Sequence, residues 1–223
     1  MYKLTTDLLR VGHRVRPGGH YTKTTITIHS TANAGSTVEN ERAWLDNTEN
    51  DRLAAWHFMV GNKKVLQAIP EDEEAWHCGK PEGNKHSIAI EIIESGDRAA
   101  VLNTAAEFTA DMLKKYGLTV KDLKRHYDWT GKDCPRILIN KGYIKNGLNW
   151  NWFVATVDAY MKGGEKETTP KKEKIQIDGK VYEAECVNIG GYTYWKIRDI
   201  AGPMGFEVTS KGKMPVLKKV VKS

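Results

Sequence analysis

His126 and Cys134, in the stretch Leu123-Lys-Arg-His-Tyr-Asp-Trp-Thr-Gly-Lys-Asp-Cys-Pro135, are a pair of good zinc ligands. Their spacing is too wide for adjacent turns of one helix, where same-face residues lie about three or four apart. It suits a loop that folds back so that imidazole and thiolate converge. Pro135 fixes φ directly after the cysteine and removes a backbone donor, which holds such a loop in one shape. A catalytic zinc site typically takes about three protein ligands and leaves a position open for water, so one ligand must come from elsewhere. His29 is the best candidate, because it closes Thr24-Thr-Ile-Thr-Ile-His29, an alternating β pattern followed by Ser30 and Thr31. A histidine at the end of a strand can project into a cleft at the sheet's edge. His29, His126 and Cys134 offer a mixed nitrogen and sulfur set that suits zinc. With one thiolate the site keeps a net positive charge, able to bring a bound water to a pKa of about 7 for attack on an amide.

Glu91 is the best helper. It interrupts Ser87-Ile-Ala-Ile-Glu-Ile-Ile93, where a buried carboxylate is expensive unless a partner or a function keeps it. In alternation it shares a face with Ala89 and Ile93. The other reading is a Glu paired with an arginine or sitting at a frayed strand end. Trp76, His77 and Cys78 are placed at the rim of the site, and His77 and Cys78 are left out of the ligand set because adjacent residues rarely hold one metal together.

The elements that must carry these residues are a mixture. Strands are expected at 24–29, 55–60, 64–69 and 87–93, the middle two forming a hairpin about Gly61-Asn-Lys63. Ser36 reads as an N-cap with Glu39 at N3, opening a helix to about residue 47. The apolar positions from 101 to 116 trace one helical face over about 98–116, stopped by Gly117. Another helix is expected at about 150–162, ended by Gly163-Gly164. Residues 1–23 read as irregular, with His13 and His20 as exposed loop histidines; 75–86 read as a loop that includes His86. The sum is an α/β domain, 1–162, followed by a polar linker at 163–173. A small, mainly β module follows at 174–223, opened by a hairpin about Asp178-Gly179.

Length allows one large domain, or a medium and a small one, within 223 residues. Of the formal +6 charge, residues 162–223 carry +5, from 13 Lys/Arg against 8 Asp/Glu. That bias favours anionic surfaces such as a cell wall, or is simply a solvated basic tail. Three scattered cysteines do not make a disulfide framework and fit synthesis in a reducing compartment. Nothing approaches the about 18 apolar residues of a membrane span, and Met1-Tyr-Lys-Leu-Thr-Thr-Asp7 has no signal-peptide core. The expectation is a protein made in the cytoplasm that reaches its substrate after release.

The order strand–His29–Ser30–Thr31, then His126-x7-Cys134-Pro135 about a hundred residues later, resembles the zinc-dependent type-2 N-acetylmuramoyl-L-alanine amidases. That family includes many phage and prophage endolysins, and peptidoglycan recognition proteins share its fold. The resemblance spans roughly residues 20–160. It implies a mixed central sheet flanked by helices, a Zn2+ cofactor, peptidoglycan as substrate, and cleavage between N-acetylmuramic acid and L-alanine. It also implies that Glu91 serves as general base or orients the attacking water, and that Lys132 stabilises the oxyanion; as a residue alone, Lys132 reads equally as an exposed loop lysine. The chain departs from the family at Trp56, which precedes His57-Phe58 where many members have a catalytic tyrosine. Trp56 and His57 are expected to line the substrate groove instead. The segment Gly190-Gly-Tyr-Thr-Tyr-Trp through Arg198-Asp-Ile-Ala201 and Gly205-Phe206 resembles the small repeat at the N-terminus of copper amine oxidases. It is expected to bind anionic cell-wall polymers or to form homo-oligomers; no nucleic acid is expected as a partner. Two rivals stand beside the amidase. One is a non-catalytic peptidoglycan-binding protein, against which Cys134 speaks. The other is a peptidase with Cys134 as nucleophile and His126 as base, which leaves His29 without a role.

Overall fold

The computed structural model describes residues 1–163, 167–189, 192–211 and 214–220. They divide into two compact units, Met1–Gly163 and Gly164–Ser223.

The larger unit runs β1 (Lys3–Thr6), β2 (Gly18–His20), β3 (Thr25–Ser30), α1 (Val38–Asp46), β4 (Phe58–Gly61), β5 (Lys64–Gln67) and β6 (Glu73–Glu74). It continues with α2 (Pro81–His86), β7 (Ser87–Ile92), α3 (Arg98–Tyr116), β8 (Leu123–Arg125), α4 (His126–Thr130), α5 (Arg136–Ile139) and α6 (Trp150–Met161). Six strands form one mixed sheet in the order β1-β5-β4-β7-β3-β8, in which only β4 and β5 run antiparallel. β7 is buried along its whole length, as expected of a parallel strand covered on both faces. Ile26, Ile28, Ile88, Ile90 and Ile92 from β3 and β7 have no appreciable exposure, nor does Phe58 of β4. Each such side chain contributes about 1.5–3 kcal/mol of hydrophobic stabilisation.

α3 packs on β4, β7 and α6. Its start is fixed by the Asp97 carboxylate, which accepts from the Ala99 and Ala100 amides. Its end is fixed by Gly117, whose φ of 65° lies in the left-handed region where a Cβ is penalised. Both ends fall where the apolar periodicity puts them.

Several expectations shift. The first helix is capped by Thr37 with Asn40 at N3, one residue later than Ser36 and Glu39; the Ser36 hydroxyl instead donates to the buried Glu41 carboxylate. Residues 1–23 are not all irregular, because β1 adds to the sheet edge beside β5. His20 is exposed, but His13 is buried. The 75–86 loop contains α2, opened by Pro81 at the position where a missing amide hydrogen costs nothing.

The smaller unit contains β9 (Glu167–Ile177), β10 (Lys180–Ile189), β11 (Tyr192–Trp195), α7 (Ile197–Ala201), β12 (Phe206–Lys211) and β13 (Met214–Lys219). They form a three-stranded sheet, β11-β10-β9, and a β12-β13 hairpin. The expected turn at Asp178-Gly179 is present, with both residues at positive φ. β9 begins at Glu167, inside the stretch expected to be a linker. Polar composition disfavours a core but leaves backbone amides free to pair, and here they pair with β10. Residues 164–166 of that stretch, including Gly164 of the expected helix stop, and Gly190-Gly191 of the C-terminal repeat lie outside the described residues. Among the described residues no helix is long and apolar enough to cross a membrane.

Close packing beneath the 76–86 segment yields a stability test. A Cβ on Gly83 would land on the buried Cys78 Sγ and 3.0 Å from the Trp129 ring. Gly83→Ala is expected to lower urea-unfolding stability by about 1–3 kcal/mol, and Cys78→Ala in the same chain to restore part of the loss. A neutral Gly83→Ala would show that α2 is not packed this tightly.

Candidate metal centre

Strand register brings three of the candidate residues to one edge. His29 is the fifth residue of β3 and pairs across the parallel ladder with Glu91 of β7. On its other side β3 pairs with β8, with Ile28 opposite Arg125. His126 follows Arg125 directly, so it stands at the level of His29. All three lie at the C-terminal ends of parallel strands, the common place for a site in an open α/β sheet.

Cys134 arrives by a folded-back loop, as its spacing from His126 requires. The loop is not free chain. α4 occupies its first five residues, started by Asp128, whose carboxylate accepts from the Arg125 amide at 2.7 Å, and ended by Gly131 at φ 75°. The Tyr127 amide then donates to the Cys134 carbonyl at 2.9 Å, which closes the loop and sets the thiol beside the histidines. A cis peptide bond joins Cys134 to Pro135.

His29 Nδ1 lies 3.1 Å from His126 Nδ1 and 3.7 Å from Cys134 Sγ. The donor atoms of all three residues lie within 4.8 Å of one another, and all three are buried. Zinc bond lengths in a tetrahedral arrangement imply about 3.3 Å between two nitrogens and about 3.6 Å between nitrogen and sulfur. The cluster therefore fits a zinc ion by donor type and by spacing around His29.

Electrostatics agree with that fit. Burial, reinforced by neighbouring His77 and His126, holds His29 well below the ordinary histidine range, so its lone pair is free. Burial and then Lys132 lower His126 to about 4. Burial, followed by the Glu91 charge, pushes the Cys134 thiol up to about 12. A nucleophilic cysteine needs the opposite shift, which disfavours the cysteine-peptidase reading. A cation in the cluster resolves the mismatch, since a coordinating thiol loses its proton outright.

His77, expected at the rim and outside the ligand set, lines the cleft, and its contact with His29 is what the sequence did not reveal. It is not a member of the cluster, but its Nδ1 lies 3.0 Å from His29 Nε2, and its own Nε2 lies 3.1 Å from the Gly83 carbonyl. Since Gly83 O can only accept, His77 Nε2–H donates to it and His77 Nδ1 accepts from His29 Nε2–H. His29 Nδ1 is left unprotonated and turned toward His126 and Cys134. A partner on the far nitrogen is the usual way a ligand histidine is oriented. Nothing local in the sequence pointed to this contact, because it depends on where α2 places the Gly83 carbonyl.

The cleft above the cluster is lined by Glu91, Lys132, Trp56, Trp44, Arg52 and Glu41 among others. Glu91 is buried and its carboxylate has no partner among the described residues. Burial, with Glu41 adding to it, raises its pKa well above the usual carboxylate range. Lys132 is exposed on the ligand loop, and its charge opposes that rise. Trp56 is among the residues lining the cleft, stacked on Trp44 with ring centroids 5.4 Å apart. His57 is not. It is fully buried, its Nδ1 accepts from the Ala89 amide and its Nε2–H donates to the Glu73 carbonyl, so both ring nitrogens are spent joining β7 to β6. His57 lies just before β4, and these two bonds hold its ring in the interior, while Trp56 stays half-buried at the cleft.

The family described as N-acetylmuramoyl-L-alanine amidase (Amidase_2) matches residues 20–137. N-acetylmuramoyl-L-alanine amidase CwlA of Bacillus subtilis (strain 168) is 33% identical over 168 residues, covering 70% of this chain and 58% of the relative. XlyA of the same strain is 33% identical over 146 residues, covering 63% and 48%. The chain thus spans about half the length of the curated relatives it matches. Among solved structures, the catalytic domain of XlyA matches with a TM-score of 0.61 at 31% identity, covering 69% of this chain and 97% of that one. The structure of PlyL matches with a TM-score of 0.61 at 25% identity, covering 70% and 97%.

Burial of neutral histidines makes stability depend on pH. His29, His57 and His77 all have folded pKa values below the unfolded value, His77 at about 3. Below about pH 6.5 the unfolded chain takes up protons that the folded chain refuses, and each such group then removes up to about 1.4 kcal/mol per pH unit. Glu91, with a raised folded value, works in the opposite sense. The urea midpoint of the metal-free protein is expected to fall from about pH 6.5 to 5; a flat or rising midpoint would contradict the neutral, buried assignment.

Proposed function

Because the chain belongs to the N-acetylmuramoyl-L-alanine amidase family, which matches more than half of it, we propose that it hydrolyses the amide bond between N-acetylmuramic acid and L-alanine in peptidoglycan. The single observation that carries the reading is the convergence of His29, His126 and Cys134 at the edge of the cleft, beside an unpartnered buried carboxylate.

In this reading His29 Nδ1, His126 Nδ1 and Cys134 Sγ hold a zinc ion. Bound there, zinc supplies Lewis acidity toward water and the scissile carbonyl. The protein's own part is proton handling and orientation. Glu91 stands beside His29 in the ladder, and its carboxylate takes the proton of the attacking water and returns it to the leaving amine. A carboxyl whose pKa is raised by burial suits both halves of that transfer. The Lys132 ammonium, on the loop that carries Cys134, offsets the charge that grows on the carbonyl oxygen. The stacked Trp44 and Trp56 form an apolar wall against which the substrate rests. Trp56 has no hydroxyl to act as an acid, so that duty falls to Glu91. His77 acts through His29, keeping its Nδ1 free.

The small unit, with the chain's basic excess, is proposed to hold the enzyme against anionic wall polymers or to mediate self-association. The observation in its favour is charge, with Lys218 and Lys219 on one exposed hairpin strand.

Purified cell walls test the assignment. Turbidity is expected to fall with the appearance of new N-terminal alanine, to stop with chelator and to resume with added zinc. Lysis that yields other new ends would mean a different bond, and lysis that persists without metal would remove zinc from the mechanism. Glu91→Gln is expected to lower kcat by about 10²–10⁴-fold while zinc still binds. Lys132→Ala is expected to lower it by about 10²–10³-fold. A Glu91→Gln protein with wild-type turnover would reassign the proton carrier.

A further inference from the structure

Glu94 lies just past β7, three residues after Glu91, and its side chain is 2% exposed. Its carboxylate is fully engaged. Oε1 accepts from the Ala32 amide at 3.0 Å and from Arg136 Nε at 3.0 Å. Oε2 accepts from Arg136 Nε at 3.1 Å and from its terminal nitrogen at 2.7 Å. The Glu94 carbonyl in turn accepts from the Arg98 guanidinium at 3.2 Å. The Arg136 guanidinium also lies over the Tyr143 ring, its central carbon 4.2 Å from the ring centroid.

The positions of these partners matter more than their number. Ala32 is three residues past His29, and Arg136 is two residues past Cys134. One carboxylate therefore ties together the chain segments that leave His29, Glu91 and Cys134. Ala32 adopts φ 53°, a backbone region that disfavours a Cβ, and in that conformation its amide reaches Glu94. The arginine is held by a bidentate pair and by an aromatic face, which determines its orientation as well as its place. A buried pair of this kind is no better for stability than well-packed apolar side chains. Its advantage is direction. The Cys134 loop has to be set in rotation as well as in position, because Sγ must face His29 and His126.

We propose that Glu94 and Arg136 are positioning residues that hold Cys134 at ligand distance from His29 and His126, and so set the affinity of the centre for its metal. The inference rests on the metal-centre reading above.

The test uses the full chain and cobalt(II), whose visible spectrum reports tetrahedral geometry and whose near-ultraviolet band reports thiolate coordination. Arg136→Ala and Glu94→Ala are expected to weaken cobalt and zinc binding by about 10–100-fold in chelator competition. The thiolate band per bound cobalt is expected to fall with it. Lys115→Ala, which breaks the exposed pair with Glu71, is expected to leave both unchanged. If the alanine variants do not fold, Arg136→Lys and Glu94→Gln carry the test. Each keeps part of the contact, and each is expected to lose affinity by a smaller factor with a weakened band. Folded variants with wild-type affinity and a full thiolate band would overturn the inference alone. A wild-type chain that takes up neither cobalt nor zinc would overturn the metal reading, and the inference with it.

Discussion

The parallel register of β7, β3 and β8 is the constraint on which the rest of the structure depends. Three neighbouring strands run the same way and end together, so Glu91, His29 and His126 arrive at one edge without any loop having to bring them there. A slip of one residue in β3 would turn His29 to the opposite face of the sheet and Ile28 into the cleft. Burial on both faces prevents that slip, because the isoleucines of β3 and β7 would lose their packing with it. The hydrophobic core and the functional site are therefore positioned by one set of backbone hydrogen bonds.

Desolvation then gives the edge its chemistry. The same burial that favours apolar packing makes charge expensive, so histidines there stay neutral, while the carboxyl and the thiol resist losing their protons. Neutral imidazoles suit metal binding. A reluctant thiol suits it only if a cation is present to take the proton's place. His77 completes the arrangement by linking His29 to the Gly83 carbonyl, so the direction of one lone pair depends on a helix of only six residues. Close contact between Gly83, Cys78 and Trp129 holds that helix in place, and Trp129 in turn donates to the Thr27 hydroxyl of β3.

Sequence patterns located the elements with strong periodicity and failed where pattern was weak. α3 could be read to its ends because apolar spacing and a Gly stop agree. β1 could not, since four residues at an exposed edge carry no burial signal. The α1 cap slipped by one residue because Ser36 and Thr37 are both competent caps, and Ser36 is engaged instead with the Glu41 carboxylate in the helix's first turn. β9 was obscured by composition, as its pairing is carried by backbone atoms that a polar sequence does not reveal. His57 was misjudged because a histidine beside a cleft-lining tryptophan looks accessible, whereas bonds to the Ala89 amide and the Glu73 carbonyl, both distant in the chain, hold it in the interior.

The sequence by itself picked out the residues that cluster, and the family. His29 at a strand end, His126 and Cys134 bracketing a short loop, and Glu91 inside an apolar run are statements about residue type and spacing, which chemistry constrains directly. Only the tertiary structure decided which other side chains serve them. His77 on His29, Glu41 near Glu91, and Glu94 on Ala32 and Arg136 are contacts between segments far apart in the chain. Their partners are set by strand order and loop closure, and neither quantity has a local signature in the residues that make the contact.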